Sequence, residues 1–228
     1  MATIQVFDAT HDNISHLPAG QAAGYSTGSG THIRWTAADW AAHPGAVRID
    51  QDPAASDPTA DVLDVETGAA SPGDCPGWVR RALADYARAA RPGQRRPAIY
   101  MSRSKVTPVV NALIAGGVKS GAGLWIADWD GNRTRAADEV EAASGPFPVI
   151  AVQYANAGSY DVSVFSTAWL KEVSVADTPP PARPPAPPGQ WKNPAEWTWK
   201  QVTLAGVGLD GKLHVFELVS GQWVRVAG

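Results

Sequence analysis

The chain has 228 residues, 44% hydrophobic and 18% charged, with a formal net charge of -3. That length holds one large domain plus a small appendage, and the mildly acidic balance gives no reason to expect nucleic acid as a partner. The single cysteine, Cys75, excludes an intrachain disulfide, and no apolar run approaches the ~20 residues that span a bilayer.

From the start, Met1 to Asp8 runs straight into a strand over Ile4–Asp8, with no basic or long apolar signal region. Export by an ordinary signal peptide is therefore not expected. Further strands are predicted over Ala22–Ser26, Ala46–Asp50, Val62–Glu66, Ala98–Met101, Leu124–Asp128 and Val149–Tyr154, with a last short one near Tyr160–Val164. Between them, Ala37–Ala42 reads as a short helix opened by Thr36, and Pro76–Ala90 and Val106–Ala115 have helical spacing. Arg80/Arg81, within the Pro76–Ala90 helix, and Arg95/Arg96, just beyond it, read as its solvated face. Near-continuous apolar strands alternating with helices argue for a parallel α/β sheet. Eight strands suggest a TIM-like barrel, shortened because about 176 residues must hold it.

The segment Val62-Leu63-Asp64-Val65-Glu66 carries the chemistry. Side chains two apart on a strand share a face, so Asp64 and Glu66 emerge side by side. Two acids that close repel, so one keeps its proton while the other ionises, which is the division glycosidic cleavage needs. Asp8, Asp50, Glu66 and Asp128 each close a predicted strand, and Asp161 sits at the last. In a parallel barrel those strand ends share the rim on which active sites are built. His11, His16, His32 and His43 lack ligand spacing, so neither a metal nor another cofactor is expected.

Beyond the main domain, residues 1–176, seven prolines fall between positions 179 and 188. The stretch 177–189 is therefore expected to be an extended linker. Residues 190–228 contain Trp191, Trp197, Trp199 and Trp223 and a strand meander around the turn signal Asp210-Gly211. So small a module seldom folds alone, and it is expected to dock on the barrel, self-associate or join a larger assembly such as a virion.

These residues together resemble glycoside hydrolase family 25, the Chalaropsis-type lysozymes and phage endolysins. The matching segments, in order, are Val6-Phe7-Asp8, Leu63-Asp64-Val65-Glu66, Ile99-Tyr100-Met101-Ser102, Leu124-Trp125-Ile126-Ala127-Asp128, Val152-Gln153-Tyr154 and Tyr160-Asp161-Val162-Ser163-Val164-Phe165. The resemblance implies a barrel of five β/α units plus three strands, and a muramidase cleaving the β-1,4 bond after N-acetylmuramic acid in peptidoglycan. It implies Glu66 as general acid and Asp64 as its carboxylate partner, with Asp8 and Asp161 on the remaining acidic positions. It also implies a sugar groove lined by Tyr100, Trp125, Gln153 and Tyr154, and Asp50 and Asp128 join these as rim candidates. Departures are Val152, where the family has Trp, the third-strand sequence Val47-Arg48-Ile49-Asp50-Gln51, and the turn from Tyr25 to Gly30. The expected setting is a phage-type lysin or tail-associated enzyme reaching the wall without a signal peptide. The alternative is a tail component that holds glycan without cutting it; a smaller third possibility is action on another N-acetylated glycan such as chitin.

Overall fold

The computed structural model describes residues 2–28 and 33–173, and the backbone of three strands between 203 and 227. Two compact units emerge, Met1–Pro180 and Pro181–Gly228.

The first unit is a closed eight-stranded barrel in sequential order. Its strands are β1 (Thr3–Asp8), β2 (Gln21–Tyr25), β3 (Val47–Asp50), β4 (Val62–Asp64), β5 (Ala98–Ser102), β6 (Gly123–Ala127), β7 (Val149–Asn156) and β8 (Asp161–Ser166). Strands β1 to β7 pair in parallel, whereas β8 is antiparallel to both β7 and β1 and closes the barrel. An all-parallel sheet was the expectation, and β8 corrects it. Only four residues separate β7 from β8, whereas a parallel crossover needs a dozen or more.

Four crossovers carry α-helices: α1 (Ala37–Ala42), α2 (Cys75–Ala87), α3 (Val106–Ala115) and α4 (Arg133–Ala142). A 3₁₀ turn over His11–His16 joins β1 to β2, and α5 (Thr167–Lys171) follows β8. α1 starts where Thr36 and Asp39 form a reciprocal capping box. α3 stops at Gly116 and Gly117, the latter at φ +79°, where the Val118 N–H reaches back to the Leu113 carbonyl.

Strand alternation sorts the core into layers. Val6, Ala23, Val47, Ile49, Val62 and Trp125 are among those facing inward. Leu63, Val65, Ile99, Met101, Leu124 and Ile126 face outward, under Trp78 and Val79 of α2 and Val109 and Leu113 of α3. Ala136 and Val140 of α4 cover Val152, Tyr154, Val162 and Val164.

The rim holding the N-terminal ends of the parallel strands is pinned by one carboxylate. Asp61, fully buried, accepts from the Arg48 N–H at 3.0 Å, the Arg95 N–H at 2.7 Å and Arg95 Nη1 at 3.2 Å, and pairs with Arg91. Arg95 also donates to the carbonyls of Gly45 and Leu170. It is therefore a buried cross-tie, which corrects its expected place on a solvated helix face.

In the second unit, β9 (Thr203–Val207), β10 (Leu213–Val219) and β11 (Gln222–Ala227) form an antiparallel sheet in the order β11-β10-β9. The expected linker over 177–189, the Asp210-Gly211 turn and Trp191, Trp197 and Trp199 lie outside the described residues.

Candidate active site

Four carboxyl groups meet at the opposite rim. Asp8 ends β1, and Asp161, its register partner, begins β8. Because β8 runs backwards, its first residue lies at the same rim as the last residue of β1. Asp64 ends β4, and Glu66 follows two residues on, past the end of the strand.

Asp8 is 3% exposed, and its Oδ1 accepts from Gln153 Nε2 at 3.3 Å. Burial, then repulsion from Asp161 and Asp64, pushes its carboxyl up to about 8. Asp64 is 2% exposed. Gln51 Nε2 donates to its Oδ2 at 3.1 Å, while its buried Oδ1 has no hydrogen-bond partner. Burial, then the neighbouring Glu66, pushes Asp64 up to about 7. Glu66 is half-buried; burial raises its pKa, Lys105 opposes that, and Asp161 adds to it. Asp161, also half-buried, is raised by burial and opposed by a 2.6 Å hydrogen bond from Asn156 Nδ2. Burial thus raises all four carboxyls, and those that repel one another titrate as a coupled group.

The floor is aromatic. Asp8, Tyr25, Ile49, Asp64, Tyr100 and Trp125 line a crevice too tight to admit a water molecule. Burial and the surrounding acids hold both tyrosine hydroxyls well above their usual pKa. Trp125, 1% exposed, is sandwiched between Tyr100 and Phe165 at ring distances of 4.9 and 4.8 Å, and its indole donates to Ser163 Oγ. It supports the floor and offers no open face. Gln153 Oε1 accepts from the Tyr100 hydroxyl at 2.8 Å and from Trp129 Nε1 at 2.5 Å.

The structure therefore gathers Asp8, Asp64, Glu66, Asp161, Tyr100, Gln153 and, beneath them, Trp125. Three candidates point elsewhere. Asp50 lies on the outer side of β3, where Trp78 Nε1, Thr27 Oγ1 and the N–H groups of Asp52 and Asp57 all donate to it. Asp128 is held by Arg103 at 2.7 Å and Arg135 at 2.9 Å. Tyr154 packs under α4, its hydroxyl accepting from Gln5 Nε2. Val152 also faces α4, so this departure from the family pattern lies behind the crevice rather than in it.

Gln51, Tyr25, Lys105 and Trp129 were not anticipated. Gln51 and Tyr25 follow the inward-facing Ile49 and Ala23 by two positions, and that parity is a legible signal. Trp129 sits on a loop after β6 and Lys105 at the end of a 3₁₀ turn before α3, where no periodicity points to them. Among the described residues no group of His, Cys, Asp or Glu is arranged to hold a metal ion, and no helix is long and apolar enough to cross a membrane. No family model, curated protein or solved structure matches the chain.

Proposed function

We propose that the protein is a glycoside hydrolase of the family 25 kind, a muramidase cleaving peptidoglycan at the β-1,4 bond after N-acetylmuramic acid. The observation that carries this reading is the convergence of Asp8, Asp64, Glu66 and Asp161 on one barrel rim, all four with raised pKa. Catalytic carboxyls need that tuning to divide proton donation from charge stabilisation. Counting the 3₁₀ turn after β1, the crossovers support the finer description of five β/α units plus β3, β7 and β8.

On this reading Glu66, which is partly open to solvent, protonates the glycosidic oxygen. Asp64 lies deeper; once ionised it faces the positive charge developing on the sugar, or orients the acetamido group of a substrate-assisted route. Its unpartnered Oδ1 is free for that task. Asp8, neutral below about pH 8, spares the site a further anion beside Asp64 and Asp161. On the same reading, residues 190–228 attach the enzyme to wall, to virion proteins or to another copy, in a phage-type lysin or tail component.

Mass spectrometry of purified peptidoglycan after digestion tests the assignment. New reducing ends on N-acetylmuramic acid are the expected result, and ends on N-acetylglucosamine would refute the bond assignment. The near-complete burial of Asp8 and Asp64 favours a second reading, a module that holds glycan without cutting it. Retention of wall fragments with no new reducing ends would establish that one.

A further inference from the structure

We infer that Trp129 is a positioning residue that links a pyranose ring seated on the rim to the hydrogen bonding of Asp8 through the Gln153 amide. The inference rests on the glycan reading above. Trp129 is 61% exposed, yet its indole N–H is fixed inward on Gln153 Oε1 at 2.5 Å. An open indole offers the flat apolar surface that sugar C–H faces pack against, with its polar edge already engaged.

Gln153, 1% exposed, transmits the contact. Its Oε1 accepts two donors, the Tyr100 hydroxyl and the Trp129 indole, which uses both lone pairs. That fixes the amide orientation and leaves Nε2 to donate to Asp8. Tyr100 is buried, so of the two donors Trp129 is the one a ligand can hold or move. The groups facing Asp8 are Asp161 from β8, Asp64 from β4, Tyr25 from β2 and Tyr100 from β5. Beside Trp129, Asp128 and Asp130 are paired with Arg103 and Arg135. The amide bond favours ionised Asp8, so loosening it raises the pH at which Asp8 titrates.

NMR on the full chain tests this without relying on catalysis. The indole N–H resonance of Trp129, identified by its loss in Trp129→Phe, should move with pH in step with the Asp8 carboxyl carbon and lose that component in Asp8→Asn. In Trp129→Phe, which keeps an aromatic face and removes the donor, the Asp8 midpoint should rise by about half a pH unit, as expected for a fraction of a hydrogen bond. An N-acetylglucosamine tetramer should shift the same resonance and its midpoint. An indole signal flat with pH, a component at the Asp8 midpoint surviving in Asp8→Asn, or an unmoved midpoint in Trp129→Phe would overturn the coupling. A tetramer that leaves the signal unmoved would overturn the pyranose link. The glycosidase reading stands or falls separately, on the release of reducing ends.

Discussion

Asp8 and Asp50 look alike in sequence, each closing an apolar strand, but the barrel puts them to opposite uses. Parity decides it. Asp8 follows the inward-facing Val6 by two residues, whereas Asp50 follows the inward-facing Ile49 by one and so points out toward Trp78. Asp128 and Tyr154 fall on the outer side by the same count. The inward-facing acids were thus legible as a group, and the rim candidates added from strand ends were separable only once the inner face was known. At this scale the titrations make two predictions. Asp8 gives up its proton near 3.8 when unfolded and near 8 when folded, so the native state binds more protons between those values. Its stability contribution is complete below pH 3.8 and is lost as pH rises through about 8. Thermal melts should show Tm falling across that window, and Asp8→Asn, which has no proton to lose there, should flatten the fall. A Tm that climbs from pH 4 to 8 would contradict the buried-acid account. Second, kcat/KM should have a limb near pH 7 from Asp64. Gln51→Leu removes the amide favouring ionised Asp64, so that limb should move upward; an unmoved limb would detach Gln51 from the site.

Among the elements, β-strands and well-capped helices were readable, because apolar runs and the Thr36–Asp39 and Gly116-Gly117 signals are local. Helix α4 was not. Its buried stripe is only Ala136 and Val140 among charged neighbours, too thin to read as periodicity. The direction of β8 was available from the short connection after β7 but is easily overlooked when every other strand is parallel. Gly24 shows a constraint that no local pattern reveals: a Cβ there would lie 2.0 Å from the Trp35 ring. Gly24→Ala should therefore cost about 1–3 kcal/mol in urea unfolding, since the buried Trp35 ring must shift to admit the methyl group. An unchanged midpoint would mean that the ring can move. Asp61→Ala should cost more, about 3–5 kcal/mol, because it leaves Arg95 buried without its counter-charge.

For the whole molecule, the two ends of the barrel do different work. At one end Asp61 and Arg95 tie strand entries and α5 together, a fully paired arrangement that holds shape. At the other, four acids are packed against one another with an unpartnered oxygen among them, an arrangement that costs stability and suits chemistry. Eight strands and an acid-bearing rim were legible from the sequence, because strand ends are marked by apolar runs. The ring of amides and aromatics around the acids was not, since it depends on contacts such as Gln153 to Asp8, 145 residues apart. The measurement that tests the central claim most directly is reducing-end release from purified peptidoglycan by the native chain and by Glu66→Gln, with circular dichroism verifying that both are folded. The account predicts steady release by the native protein and a loss of at least about 100-fold in the folded variant. Equal release by the two proteins, or none by the native chain, would contradict it.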